Sequence, residues 1–459
     1  MHAGPLFAGT VDAKFWEDLV PRLAQTYNFV WDTVVCLSAL VEHVPYTSLT
    51  ATFDTTGLFK PTNQEHQQAL RIYNRAIVNV RQLAERGQID DSVVALSYIL
   101  FASVEFQQRN VKTGNDLVQR CCKILTARLT SPCTRRNSTV GQAIHQVVTP
   151  FVLRRSVVIA TLGNALPLQW VTDSEVNNIL KAILSRCPTL NQARVQFHNL
   201  VHHCFELIRL ADFLPNIKDD DPGKVLFLSE RQALLDKLMQ WKASFAATSS
   251  RTPDVERDWI ISYLLMYWAV CYTSLAACVS SRQTVFDDYM DHFAEIIEHA
   301  KGYLRHGAQS TNVRLLSSFD PGVIPPLYFC ATKCRDPILR REALRLMRQA
   351  PRQENLWAFV APELVVEKVI SVEEGECQLS CSKDSAWKYA YRPPEERRVA
   401  YVSVVGRDAP GGKQRQALEL SRFEFVSDCS RRLITDYIWL DNGGEVWSDA
   451  KCGSLGIVT

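Results

Sequence analysis

The feature that most constrains the fold is an uncharged stretch, Trp259–Ser281, in a chain of 459 residues. A helix of this length could cross a lipid bilayer. Its serine, threonine and tyrosine residues dilute its hydrophobicity, however, and Asp258 and Arg282 give no flanking basic cluster. The pattern therefore favours a central helix buried on all sides by other helices, and no membrane contact is expected.

Apolar residues recur at helical spacing along most of the chain. In the first helix, Phe15, Leu19 and Leu23 line one face, and Pro21 predicts a kink. The spacing predicts helices over 13–25, 29–43, 63–86, 91–108, 111–129, 140–162, 173–186, 189–211, 227–246, 255–280, 285–305 and 361–374, with a turn over 217–224. No 34-residue period recurs, so stacked helix pairs without strict repetition are expected.

The sequence pattern changes beyond about residue 385. Val399–Val405 and Arg422–Ser427 have the alternation of strands and are separated by a glycine-rich loop, so they predict a β-hairpin. Leu440–Thr459 is expected to be irregular. The predicted fold is thus mainly α, with irregular stacked helical hairpins and a small C-terminal β-hairpin extension. Its parts are an N-terminal tail (1–12), a helical domain (13–384) and a β-rich extension (385–459).

Composition limits the function classes. The net charge is +2, from 51 basic and 49 acidic residues, so the chain as a whole has no electrostatic footprint for nucleic acid. None of the 14 cysteines has C-x2-C spacing, and the first ten residues have neither a basic region nor a long apolar core. A reducing intracellular compartment is expected.

The segment Phe319–Phe359 combines turn signals with a short helix. Pro321-Gly322 and Pro325-Pro326 predict extended or turn backbone. Asp336-Pro337 predicts a helix start, and Pro351 predicts its end. The segment is therefore expected to be an irregular loop that leads into a short amphipathic helix.

That short helix has two different faces. Leu339, Ala343 and Met347 share an apolar stripe. A cationic stripe well away from it is formed by Arg341, Arg345 and Arg348. These arginines could contact phosphate or an acidic partner surface. The favoured alternative is a solvated face whose arginines pair with carboxylates such as Glu342 or Glu354.

A family resemblance becomes specific in this segment. Its phrases are GVIPPLYFCATKCRDPILRREAL and APRQENLW, and they resemble the C-terminal part of the fungal-specific transcription factor domain. Further similar phrases are FWEDLVPRLAQTYNFVWDTVVCLSALVEH at 15–43, HQQALRIYNRAI at 66–77 and VVALSYILFASVEFQQRN at 93–110. The resemblance extends over roughly 15–370.

The resemblance implies a nuclear, non-enzymatic regulator of transcription. It would act through protein partners of the transcription machinery, a DNA-binding partner or a small-molecule effector, and a homodimer or heterodimer stays open. The family's N-terminal zinc cluster is missing from this chain, so we expect no zinc or other cofactor here and no direct DNA contact without such a cluster. A truncated gene model and a regulator that acts through a DNA-binding partner are both open.

An enzyme alternative rests on Asp287, Asp288 and Asp291, which form a DDxxD motif. In class I terpenoid cyclases such carboxylates hold Mg²⁺ on a substrate diphosphate. The second metal-binding motif of those enzymes is absent from 292–459, so an exposed acidic face is the favoured interpretation. A non-nuclear helical scaffold is the third hypothesis.

Other potential metal ligands lack the required pattern. They are His292, Glu295 and His299 on one helical face, the adjacent His202-His203-Cys204, and the pairs Cys330/Cys334 and Cys377/Cys381. Three ligands on one helix seldom converge, and the cysteine spacing does not match a zinc knuckle. Glycine-rich phosphate loops, G-x-S-x-G and H-E-x-x-H are also absent. No catalytic, metal-binding or cofactor-binding residue is therefore predicted.

Overall fold

A computed structural model of the chain describes residues 14–42, 63–108, 110–130, 148, 190–211, 214, 221–249, 255–310, 322–350, 362–375, 392–408, 414–427, 430–439 and 446–448. This part of the chain is mainly helical, with a small antiparallel sheet at its C-terminal end, which confirms the predicted fold class. The described α-helices all lie within residues 13–384, and the strands all lie within 385–459. The predicted tail and the predicted helices over 140–162 and 173–186 lie outside the described residues, Val148 apart.

The first group of helices surrounds its own apolar core. It begins with a π-helical turn, Lys14–Leu19, and continues with α1 (Val20–Thr26), α2 (Asn28–Glu42), α3 (Gln64–Glu85), α4 (Asp91–Gln107) and α5 (Val111–Thr130). The predicted stripe is confirmed, because Phe15, Leu19 and Leu23 are buried. Pro21 lies in the first turn of α1, directly after the change from π to α geometry.

The second group contains the remaining helices. They are α6 (Leu190–Ala211), α7 (Pro222–Ser249), α8 (Val255–Ala277), a 3₁₀ helix (Gln283–Tyr289), α9 (Met290–Ser310), α10 (Ile324–Lys333), α11 (Pro337–Met347) and α12 (Pro362–Glu374). Their buried side chains form a second apolar cluster, separate from the first. Within the described residues, the helical region therefore has two cores.

Helix α8 is the central helix of the second core. Its window Ile260–Ala277 is long and apolar enough to cross a membrane, yet 67% of that window is buried within the protein. Its polar groups also find partners in the core: Trp268 Nε1 donates to the Leu238 carbonyl at 2.9 Å, and Tyr267 Oη donates to the Gly322 carbonyl at 3.2 Å. The predicted buried central helix is confirmed.

Two predictions about proline and turn signals were wrong. Pro325 and Pro326 lie in the first turn of α10, not in extended backbone. The first helical N–H groups have no acceptor within a helix, so proline there removes no hydrogen bond and its fixed φ suits the helix. The turn predicted over 217–224 is also wrong from Pro222 onward, because Pro222 occupies the first position of α7. Asp221 Oδ1 accepts from the Gly223 N–H at 2.7 Å and so caps this helix.

The C-terminal hairpin is half of a larger sheet. A second 3₁₀ turn, Glu395–Arg397, leads into β1 (Val399–Asp408), β2 (Gln414–Ser427), β3 (Ser430–Trp439) and β4 (Val446–Ser448). The four strands are antiparallel in the order β1-β2-β3-β4, so the irregular structure expected after residue 440 was wrong at β4. One face packs on α12, where Val365 and Val369 contact Leu418, Leu420 and Ile438.

Candidate functional site

The segment that carries the strongest resemblance forms α10 and α11, at the junction between the second core and the sheet. Asp336 starts α11 as predicted, because its Oδ1 accepts from the backbone N–H groups of Ile338 and Leu339 at 3.0 Å each. Pro337 occupies the first helical position. The helix ends at Met347, before Pro351, which lies outside the described residues.

A buried ionic cluster lies under this helix pair. Arg335, Arg340 and Glu373 each have 0% exposed side-chain surface. Arg335 Nη2 donates to Glu373 Oε1 at 2.9 Å, and Arg340 Nη2 donates to Glu373 Oε2 at 2.8 Å. Backbone carbonyls accept from the same two guanidinium groups, Lys333 at 2.7 Å and Ala331 at 3.2 Å. One carboxylate thus joins the α10–α11 linker, α11 and the end of α12.

The same cluster holds the first residues of β1. The Val399 N–H donates to Glu373 Oε1 at 2.8 Å, and the Val399 carbonyl accepts from Arg335 Nη2 at 3.0 Å. One residue further on, the Ala400 carbonyl accepts from Lys333 Nζ at 2.7 Å. The start of the sheet is therefore hydrogen-bonded to the helical body through buried charged groups.

Electrostatics support a structural role for this cluster. Burial by itself would raise the pKa of Glu373, but Arg335 and Arg340 outweigh burial and hold that pKa below its ordinary value. Removing one partner of a buried ion pair leaves an uncompensated charge and typically costs about 3–5 kcal/mol. The cluster is therefore expected to stabilise the junction strongly only while it is complete.

The cationic stripe lies on an exposed face of α11. Its side chains are about half exposed, at 45%, 51% and 55% for Arg341, Arg345 and Arg348. Each pairs with a carboxylate: Arg341 with Glu374, Arg345 with Glu342, and Arg348 with Glu367. The expected pairing with Glu342 is thus found, while Glu354 lies outside the described residues. A partner surface for these arginines stays a prediction.

The first carboxylate of the DDxxD motif is engaged by an arginine from the start of the sheet. Arg398 donates to Asp287 through Nη1 at 2.9 Å and through Nη2 at 2.7 Å. Only 3% of the Arg398 side chain is exposed, and its Nε donates to the Pro393 carbonyl at 2.8 Å. Asp287 is therefore held in a bidentate pair, the strongest geometry for arginine and carboxylate.

The other two acidic residues of the motif face solvent. Asp288 lies in the 3₁₀ helix and Asp291 in the first turn of α9, and both are exposed. Among the described residues, no group of three or more histidine, cysteine, aspartate or glutamate side chains could hold a metal ion together. The geometry assigns Asp287 a role in fixing the 3₁₀ helix to the segment before β1.

Glu395 also joins the segment before β1 to the 3₁₀ helix. Its two carboxylate oxygens accept from the backbone N–H groups of Gln283 and Thr284, at 2.7 Å each. These N–H groups open the 3₁₀ helix, so a carboxylate more than a hundred residues away satisfies them. Residues 283–289 form a 3₁₀ helix, so the α-helix predicted from residue 285 begins at Met290.

The polar residues of α9 make separate contacts. His292 Nδ1 lies 3.1 Å from Thr273 Oγ1, and burial lowers its pKa. Glu295 pairs with Lys242 at 2.5 Å and lies 3.8 Å from His299. Lys242 Nζ in turn lies 3.8 Å from the centroid of the Trp268 ring. This stripe therefore packs α9 against α7 and α8.

The remaining potential ligands are buried within the helical core. Cys204, Cys330 and Cys334 are buried free thiols. A hydrogen bond from Cys330 on α10 lowers the pKa of Cys334, which directly follows that helix. His202 is buried 3.3 Å from Glu206 on the same helix. The other predicted thiol pair, Cys377 and Cys381, lies outside the described residues.

The sequence contains one signal that could have revealed the buried cluster. Arg340, Ala343 and Met347 stand at i, i+3 and i+7, so an arginine lies on the apolar stripe of α11. A charged residue on such a stripe is rarely buried without a partner. Its partner, Glu373, is 33 residues away and has no local pattern that points to α11.

Comparisons with known proteins found no match: no family model, no curated protein and no solved structure resembles this chain at a significant level.

Proposed function

We propose that this chain is a non-enzymatic regulatory domain of the fungal transcription factor type, acting in the nucleus through protein partners. The observation that carries the proposal is the set of similar phrases between residues 15 and 370. They follow the order of the family's helices, and the most specific phrase coincides with α10 and α11.

The contacts of that phrase agree with a scaffold role. Arg335 and Arg340 pair with a buried carboxylate that joins the helices to the sheet. The outer face of α11 carries Arg341, Arg345 and Arg348. Such an outer face suits recognition of an acidic protein segment, because arginine forms directional pairs with carboxylates. Asp287 is likewise engaged by Arg398, which favours scaffold over catalysis.

The direct test is a reporter assay in a fungal cell. The chain is fused to a heterologous DNA-binding domain, and its nuclear residence and reporter transcription are compared with those of the DNA-binding domain alone at matched expression. We expect nuclear fluorescence from the chain that carries only a fluorescent tag, and a clear change in reporter transcription from the fusion to the DNA-binding domain. Exclusion from the nucleus together with an unchanged reporter would favour the non-nuclear scaffold.

Two further experiments separate the proposal from its rivals. The purified chain should not shift promoter DNA by itself, and a shift that weakens steeply with salt would reveal direct phosphate contact. Incubation with Mg²⁺ and prenyl diphosphates should give no product. A cyclised product that disappears in Asp287→Ala would instead establish the cyclase.

A further inference from the structure

A pocket lies where the helical body meets the sheet, beside the buried ionic cluster. Its volume is about 360 Å³. Its walls come from the ends of α6 and α8, the start of α7, the 3₁₀ helix 283–289, α10 and the first two strands. Ligand pockets commonly have volumes of roughly 300–1,000 Å³ and form between structural units, and this pocket meets both conditions.

Aromatic side chains line the pocket from both the helices and the sheet. Phe286 and Phe329 line the pocket from the helical side, and Tyr401 and Phe423 line it from β1 and β2. Tyr401 is 47% exposed although its ring packs against Phe423 at a centroid distance of 6.1 Å. An exposed aromatic surface of this kind would gain free energy from being covered by an apolar molecule.

The charged groups of the pocket all have the same sign. The described lining contains the cations Lys224, Arg282 and Lys333 and no aspartate or glutamate. A concave surface with low-dielectric walls and charges of one sign attracts a counter-ion. The lining therefore favours an anionic ligand over a cationic one.

Lys333 is the cation best placed to hold such a ligand. Its Nζ donates to the Ala400 carbonyl at 2.7 Å and to Gln283 Oε1 at 3.1 Å, and lies 5.4 Å from the centroid of the Phe286 ring. An ammonium group has three N–H donors, so one is left by these two acceptors. Within the described part of the chain, Lys333 forms no ion pair.

The surroundings of Lys333 make its charge costly. Burial and the nearby Arg335 lower the pKa of Lys333 to about 7, against an opposing effect of Glu373. Glu373 is already saturated by two guanidinium groups and the Val399 N–H, so it does not pair with the lysine. A carboxylate in the pocket would supply the missing counter-charge.

We infer that this pocket binds a small organic carboxylate with an aromatic or aliphatic body. Its carboxylate would accept from the third N–H of Lys333, and its body would lie between the phenylalanine rings of the helices and the aromatic face of β1 and β2. Such a ligand would contact both the helical body and the sheet and would strengthen their attachment. The site stands independently of the transcriptional role proposed above.

Two simple carboxylates serve as probes, 1-naphthoate and decanoate below its micelle concentration, each measured by isothermal titration calorimetry against the full chain. We expect at least one of them to bind with one-to-one stoichiometry, and the matching neutral alcohol to bind at least about tenfold more weakly, because a charge-assisted hydrogen bond is lost. Failure of both carboxylates at millimolar concentration would overturn the inference, as would equal binding of acid and alcohol.

Three variants locate the site. Lys333→Met keeps the length of the stem and removes the ammonium group, and it should weaken carboxylate binding about tenfold or more while leaving binding of the neutral alcohol unchanged. Val279→Glu places a carboxylate in the pocket wall at an exposed position and should also weaken binding, even if Lys333→Met does not fold. The control, Lys237→Met, changes an exposed lysine outside the pocket. Equal affinity in Val279→Glu and the control would contradict the assignment.

Discussion

The two arginine groups around α11 have the same chemistry and opposite surroundings. Arg335 and Arg340 are fully buried on Glu373, whereas Arg345 and Arg348 are half exposed and pair with carboxylates at the surface. Water and salt screen the exposed pairs, so they contribute little to stability. The buried pairs have no such screening, and each depends on its partner. Position, more than residue type, thus decides which arginines hold the fold and which form only surface pairs.

The largest expected effect comes from removing the shared carboxylate. Glu373→Gln removes the carboxylate that pairs with Arg335 and leaves Arg340 only its longer contact with Glu374, at 3.4 Å, so the free energy of unfolding should fall by about 3–5 kcal/mol. Chemical denaturation followed by circular dichroism measures it. The matched control is Glu367→Gln on the same helix, whose partner Arg348 is exposed. Similar losses in the two variants would break the distinction between buried and exposed pairs.

The carboxylate of Glu373 also predicts that the stability of the protein depends on pH. Its folded-state pKa lies below the ordinary value of 4.5, so the stability it contributes is fully present above about pH 4.5 and is lost as the pH falls through the folded-state pKa. The difference in stability between the wild type and Glu373→Gln should therefore shrink in acid. Denaturation at pH 7 and pH 4 gives the two values, and a difference that grows on acidification would contradict the sign.

A smaller effect is expected at the second attachment of the sheet. Asp287→Asn removes the charge that pairs with Arg398 and should cost about 1.5–3 kcal/mol, the range for hydrogen bonds to charged groups. Asp288→Asn is the neighbouring control, because its side chain is exposed. Limited proteolysis near residues 392–398 should accelerate only in the first variant. Acceleration of equal size in both would show that the pair does not hold this segment.

The smallest effect on stability is expected at the exposed stripe. Arg345→Ala removes a pair between surface side chains, so the denaturation midpoint should barely move and any change should vanish in high salt. If this face contacts an acidic partner, the same variant should weaken that contact in a pull-down or reporter assay. A large loss of stability would show that Arg345 stabilises the fold as the buried arginines do.

The sequence predicted what depends on local spacing. The stripe through Phe15, Leu19 and Leu23 and the cap at Asp336 are both local patterns, and both are confirmed. Strand β3 was not predicted because its apolar residues stand next to one another, in Leu433-Ile434 and Tyr437–Trp439, and do not alternate with polar residues as in a half-buried strand. The prolines of α10 were misread because their position relative to the helix start, and not their presence, decides their effect.

The candidate site depended on contacts that no local pattern records. Glu373 meets Arg340 across 33 residues, and Arg398 meets Asp287 across 111. The cationic stripe was visible because its three arginines lie within eight consecutive residues. Short motifs therefore drew attention to Asp287 and Arg345, while the residues that organise the junction had to be found through tertiary contacts.

Hydrogen exchange in Glu373→Gln tests the central claim most directly, because that carboxylate joins the start of the sheet to the helical body. Exchange of the amides of β1 to β3 should accelerate by about a hundredfold or more relative to the wild type, while the amides of α2 to α5 around the first core keep their protection. Unchanged exchange in the strands would contradict the claim that the buried cluster holds the sheet in place.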